Sequence, residues 1–261
     1  MERRKVRPVR TRPVFLDPEV VTLRSANSAL GLLTKLAGLA AGLTILGVVT
    51  GWQQATSYFS TLGAPWAAWL LSPADLIKLG AYFIVPFALG AIWSVLGLMD
   101  MTVSIKALRN IALGLFLIGL ITLLIPETWI GLKFKCDLRM IGASALALGA
   151  GAAIGGIVGG LAKSGLQWSA DDLWVLYASV AISIWQAPEI QGSAAASLDS
   201  SPQHSKLSFV TLSTEDGSDP WRLVSGGEKG FLIVRLAPAR NDRIFRWVSA
   251  SELVSIRPPS K

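Results

Sequence analysis

The sequence has one cysteine, Cys136, and one histidine, His204, in 261 residues. A single thiol excludes an intrachain disulfide, and one thiol with one imidazole excludes a His/Cys metal cluster within the chain. A Ser-His-Asp triad would have to use His204, which stands in the small polar stretch "GSAAASLDSSPQHS" and reads as linker, so that chemistry is set aside. Cys136 sits among Lys133, Lys135 and Arg139, which could activate a thiol, but it has no base or second thiol beside it and reads as incidental. The adjacent carboxylates Asp171 and Asp172 cannot face each other on a helix and fit a first helical turn instead. No catalytic, metal or cofactor-binding residues are therefore assigned.

Charge is also scarce. Only 16% of the residues are charged, against about 25% in an ordinary soluble domain. Residues 79–99 and 111–126 carry none, and residues 140–170 carry only Lys163. Such gaps exclude a soluble globular chain and point to several membrane crossings. The gaps also lack central ionisable groups, which argues against a proton-coupled pump.

What is present is apolar: 52% of the chain. Residues 30–52, 76–99, 107–125 and 141–162 are each long enough as helices to cross a hydrocarbon core of about 30 Å. Residues 170–187 would make a helix of about 27 Å, stopped by Pro188. They read either as a fifth span or as an interfacial helix. The interfacial reading leaves the C-terminal region in the cytoplasm, and that is the expectation taken. Residues 1–29 hold seven Arg or Lys against three Asp or Glu, which sets the N-terminus in the cytoplasm by the positive-inside rule. Nothing further asks for nucleic acid. Residues 53–75 carry no Lys or Arg but Tyr58, Phe59, Trp66 and Trp69, so they read as an outside connection at headgroup level. Ser72, Pro73 and Asp75 then start the second helix as cap, first residue and N-terminal acid, and Pro86 interrupts it midway. Residues 126–139 read as an outside loop, although Lys133, Lys135 and Arg139 stand there against the rule.

The stretch "ALALGAGAAIGG", residues 145–156, has the spacing G-x-G-x-x-x-G. A dinucleotide loop would need a strand before it and a βαβ unit around it; the preceding "MIGASALAL" is as helical as it is extended, no second strand follows, and the three other hydrophobic spans decide against that reading. Gly151, Gly155 and Gly159 recur every fourth residue and share a helix face, as do Gly38 and Gly42, and Gly47 and Gly51. Small residues at that spacing let helices approach closely in lipid. Gly38, Gly42, Gly151, Gly155 and Gly159 are the predicted packing sites, joining segment one to segment four or to a second copy.

After the linker, residues 191–205, the character changes. "KLSFVTL", "PWRLVS", "GFLIVRLA", "DRIFRWV" and "ELVSIRP" are short β-type runs between turn-like stretches. Residues 246–256, "RWVSASELVSI", resemble the end of SH3-like barrels, where a strand leads through a short 3₁₀ turn into the last strand. The resemblance implies a small barrel. The acidic-aromatic loop and proline-groove tyrosines of true SH3 domains are absent, so polyproline binding does not carry over. Strand alternation turns Phe245 and Trp247 inward, because Arg246 on the other face has no evident partner. Val254 and Ile256 follow as inward residues, with residues 249–252 as the turn.

The sequence thus predicts an α-helical polytopic membrane bundle of four to five spans with a C-terminal small all-β, SH3-like domain. Its parts are a basic segment, 1–29, a helical region, 30–190, the linker, 191–205, and the β domain, 206–261. The expected protein is non-enzymatic and resides in the cell (inner) membrane. Its β domain binds a protein partner or regulates the membrane part; the alternative is a channel or transporter subunit. Expected partners are the lipid bilayer, a protein for the β domain and a second copy, without nucleic acid or cofactor.

Overall fold

The computed structural model describes residues 18–100, 102–126, 130–164, 170–213, 220–227, 230–237 and 239–258. The basic opening stretch, the Ser169 cap and the turn at 214–219 lie outside the described residues. Five long α-helices come first: α1 (Pro18–Leu62), α2 (Pro73–Met99), α3 (Ile105–Leu124), α4 (Leu132–Ser164) and α5 (Ala170–Asp199). Five strands follow: β1 (Phe209–Leu212), β2 (Trp221–Gly227), β3 (Gly230–Arg235), β4 (Ile244–Val248) and β5 (Leu253–Arg257). The chain divides into two compact units, residues 1–43 and 44–261. The packed helices and the sheet belong to the second.

Among the described residues, three helical stretches are long and apolar enough to cross a membrane: Pro73–Met99, Lys106–Leu124 and Leu132–Gly160. The last is the most buried of the three, with more than half of its apolar stretch enclosed. α4 is therefore the central helix of the three.

The glycines explain how the others reach it. A Cβ on Gly151 would strike the Phe87 carbonyl of α2, and one on Gly155 the Ala91 carbonyl. Gly90 of α2 meets the Leu148 carbonyl in the same way. Ser94 Oγ, fully buried, donates to the Ala152 carbonyl across this seam at 2.9 Å. Gly159 lies against Leu98. The predicted stripe on α4 is thus a packing face, but its partner is α2 and not segment one. Gly38 and Gly42 have open space where a Cβ would stand, while Gly47 and Gly51 close on Gly80 and Leu76 of α2. Larger side chains at 38 and 42 would meet no obstacle among the described residues of this chain.

α5 corrects the sequence reading most. It runs through Pro188 to Asp199, so residues 191–199 are helix and not linker. An interior proline ordinarily costs about 3 kcal/mol. Here Ala187, Pro188, Ile190, Ala194, Ala196 and Leu198 are all buried, and burial at about 0.8 kcal/mol per methylene group offsets that cost. α5 lies antiparallel along α4: Ala187 and Ile190 pack with Ala143, Leu146, Ala147 and Ala150, Val180 reaches Ala152 and Ala153, and Ala194 and Leu198 pack on Cys136. α4 itself begins at Leu132. The expected loop at 132–139 is its first two turns, and Cys136 is buried there and not in a basic loop.

The five strands form one antiparallel sheet in the order β4-β3-β2-β1-β5. One face gathers Val210, Leu212, Trp221, Ile233 and Val248 into a core of its own. The other turns Leu232, Val224 and Phe245 onto Ala55, Phe59, Ala64 and Leu76 of the helical part. The expected register of β4 is overturned. Val248 is fully buried, whereas Trp247 is 40% exposed and Phe245 faces the helices. Arg246 shares the core face with Val248 because it has a partner after all: its Nη2 lies 3.2 Å from Glu252 Oε2. Val254 and Ile256 are exposed, and Leu253 packs on the core instead. The turn is as expected, a 3₁₀ helix (Ala250–Glu252) closed by a Ser249/Glu252 capping box.

Candidate functional site at the junction of helices and sheet

The junction is built on the end of α1. Gly63, with φ of 111°, ends the helix in the left-handed conformation that glycine adopts freely. Its amide and that of Ala64 both donate to the Phe59 carbonyl, at 3.0 and 2.8 Å. The last carbonyls are left over. Arg243, between the 3₁₀ helix (Arg240–Asp242) and β4, supplies the donors: its Nη1 lies 2.8 Å from the Leu62 carbonyl and 3.5 Å from that of Thr61. A cation at the negative end of a helix is favourable. Burial, and Arg240 nearby, pull the Arg243 guanidinium below its usual range. The next connection continues the docking surface. Its 3₁₀ helix (Pro65–Leu70) buries Ala67 and Ala68 and exposes Trp66 and Trp69. α2 then starts at the predicted capping box: Ser72 Oγ accepts from the Asp75 amide at 3.2 Å, and the Asp75 carboxylate accepts from the Ser72 amide at 3.3 Å.

A second tie joins α1, the end of α5 and the strand region. Tyr58 donates its hydroxyl to Asp199 Oδ2 at 3.0 Å, and the Lys206 amide donates to Asp199 Oδ1 at 3.0 Å. Gly192 lets α5 approach closely, since a Cβ there would meet the Gln54 carbonyl. Ser57 Oγ donates to the Glu189 carbonyl at 2.9 Å. Burial raises the Asp199 carboxyl above the usual carboxylate range, opposed by the hydrogen bonds from Lys206 and Tyr58. Burial and the Asp199 charge also raise the Tyr58 hydroxyl. Arg222 faces this carboxylate, donates to the Pro202 carbonyl at 3.1 Å and lies over the Phe209 ring.

Between these ties lies a cavity of about 670 Å³. Its walls come from α1, α2, α4, α5 and β2, and they are mainly apolar and aromatic: Tyr58, Phe59, Leu79, Met140 and Val224. Gln54 and Gln191 also line it. They are only 7% and 6% exposed, and the side-chain oxygen of each has no hydrogen-bond partner. Gln191 is oriented by its amide nitrogen, which donates to the Tyr82 carbonyl at 3.4 Å. That carbonyl lacks its helical donor because Pro86, four residues on, has no N–H.

Among the described residues, no group of three or more His, Cys, Asp or Glu could hold a metal ion. Cys136 packs on Ala194 and Leu198, and His204 is exposed, outside the cavity. Gly151, Gly155 and Gly159 shape the seam beside α2 and do not line the cavity. Of the junction residues, Tyr58 was read from the sequence only as an aromatic at headgroup level, and Gln54, Gln191, Asp199 and Arg243 were not singled out. The one local signal was the polar pair in "GWQQATSYF" at the edge of an apolar segment. No family model, no curated protein and no solved structure matches the chain.

Proposed function

We propose that this chain is a non-enzymatic, multi-pass protein of the cell (inner) membrane whose SH3-like β domain regulates the membrane part by capping one end of the helices. The observation that carries this reading is Arg243, which reaches from the connection just before β4 to hold the last carbonyls of α1. The apolar face of Leu232 and Phe245 against Phe59 and Leu76 supports it. A domain attached only by a linker would have no use for such a face. The strand order, with a 3₁₀ turn before β5, supports the SH3-like assignment. Close α2–α4 packing through glycine favours a regulated scaffold over a channel or transporter subunit.

The spans number five in this reading. α5 lies beside α4 over residues 180–198, within the depth of an apolar helix, which supports a crossing and not an interfacial helix. A cytoplasmic N-terminus followed by five crossings puts the sheet outside. The sheet also packs against the connection between α1 and α2, so both share one side. That reverses the cytoplasmic expectation for the C-terminal domain.

The capping role is tested by Arg243→Glu in the full chain, which brings an anion to the negative helix end. The loss should be roughly 1–2 kcal/mol. Hydrogen exchange should accelerate across residues 58–71 while the α2–α4 seam stays protected. Unchanged exchange at 58–71 would leave the sheet as a passive appendage.

A further inference from the structure

We propose that the junction cavity takes up one acyl chain of a bilayer phospholipid while the headgroup stays outside it. The proposal rests on the membrane reading above, but not on any regulatory role of the sheet.

The cavity stands where the helices part. Deeper in the bundle α2 and α4 meet at their backbones, Gly90 against Leu148 and Gly151 against Phe87. Nearer the sheet, Leu79 and Tyr82 of α2 and Met140 and Ser144 of α4 line the cavity instead, and Val224 of β2 closes its sheet side. Exposed residues on α2 recur at Lys78, Tyr82, Val85, Leu89 and Ile92, a helical stripe with the spacing of a lipid-facing surface. Lys78 and Tyr82 belong both to that stripe and to the cavity wall, so the cavity opens onto the stripe. The depth is that of the first chain carbons. α2 has 27 residues, which make about 40 Å of helix, against a hydrocarbon core of about 30 Å. Centred on that core, the helix enters hydrocarbon about one turn after Pro73, and Lys78 and Tyr82 follow at once.

The interior offers little to a polar guest. The Tyr58 hydroxyl is committed to Asp199 and the Ser144 hydroxyl to the Met140 carbonyl. The side-chain oxygens of Gln54 and Gln191 are sealed within the wall. The surface that remains is chiefly Ala55, Phe59, Leu79, Met140, Ala195 and Val224. A bound water needs about two to four polar partners. A methylene chain needs none, and its carbons gain dispersion contacts along such a wall. The volume, about 670 Å³, lies within the range of sites for small guests, roughly 300–1,000 Å³. The charges at the cavity decide between a phospholipid and a free fatty acid. Lys78 Nζ lies 3.5 Å from Asp75 Oδ1, and Lys206 acts on the Asp199 carboxylate. Each of these cations already faces an acid, so the carboxylate of a fatty acid would compete for its counter-charge. A phospholipid keeps its charges in the headgroup layer and inserts only the chain.

The test places the full chain in phosphatidylcholine nanodiscs doped with a phosphatidylcholine that carries a diazirine in one acyl chain. Irradiation, digestion and mass spectrometry then locate the adducts. Leu89 and Ile92, exposed on the α2 stripe, report lipid that merely surrounds the helices, whereas Leu79 and Met140 report the cavity. Adducts are expected at all four. Ala195→Phe from α5 and Ser144→Phe from α4 each bring a ring into the cavity. Either should lower the adducts at Leu79 and Met140 roughly tenfold and leave those at Leu89 and Ile92 unchanged. A fatty acid with the same diazirine chain, added to the same nanodiscs, should label Leu79 and Met140 far less than the phospholipid does. Adducts at Leu89 and Ile92 with none at Leu79 and Met140 would overturn the proposal alone. Adducts at none of the four would overturn the membrane reading, and the proposal with it. Labelling of the cavity by the fatty acid and not by the phospholipid would overturn the choice of occupant, and labelling that survives both replacements in variants that melt like the parent would overturn the site.

Discussion

Asp199 is the residue whose setting differs most from its sequence context. In "ASLDSSPQ" it reads as a solvated linker acid. In the fold it accepts from Tyr58 and from the Lys206 amide, and burial raises its carboxyl above the ordinary range. The folded state therefore holds this proton to higher pH than the unfolded chain, in which Asp ionises near 3.9. The contribution of this group to stability is fully present below about pH 4 and is lost as pH rises through the raised folded value. Thermal melts across pH 4 to 8 should show Asp199→Asn gaining on the parent protein through that window. Parallel curves would mean that the carboxyl titrates normally. On β4 the expectation runs opposite to the alternation argument. Val248→Ala should cost about 2 kcal/mol, since it empties fully buried volume. Trp247→Ala should cost distinctly less because the ring is 40% exposed. Arg246→Ala should lose the half-exposed pair with Glu252, a kind of contact worth up to about 1 kcal/mol. Denaturation midpoints of the three variants rank the effects directly; a larger loss for Trp247→Ala than for Val248→Ala would restore the alternation register.

At the scale of elements, the α2–α4 seam and α5 carry the argument. Gly155→Leu would drive a branched side chain into the Ala91 carbonyl and Ser94. Overpacking of this kind costs about 1–3 kcal/mol, and more where backbone must move. The readout is the melting temperature in detergent, and the mass of the particle should not change, because the partner is α2 of the same chain. A change in oligomeric state with an unchanged melt would assign the stripe to a second copy. The stripe itself was legible in the sequence, because a four-residue spacing needs only helix geometry. Its partner was not, since four apolar segments can be arranged in many ways with similar local patterns. The course of α5 was hidden for another reason. Pro188 and the run of Gly, Ser and Ala after it have the local character of a helix stop and linker. Those same small residues fit the narrow space beside Gln54 and Cys136.

For the whole molecule, the decisive relation is that the sheet and the α1–α2 connection share one end of the helices. A Ser213→Cys variant, placed on an exposed residue after β1, reports the side. Cys136 is buried and contributes little background. A membrane-impermeant maleimide should label Ser213→Cys on intact cells. Labelling only after permeabilisation would put the sheet in the cytoplasm and remove one crossing from the proposed topology.

The sequence by itself determined the apolar helices, the change to β structure near residue 206, the capping box before α2 and the turn before β5. Each depends on local composition, period or a four-residue hydrogen-bond pattern, and neighbouring residues suffice to express it. Only the tertiary structure decided that Arg243 holds the end of α1, that Arg246 meets Glu252, and that the sheet has a second buried face. Only there do Gln54 and Gln191, 137 residues apart in the chain, share one cavity. Those are encounters between distant segments, selected by the combined burial and close packing of the folded chain.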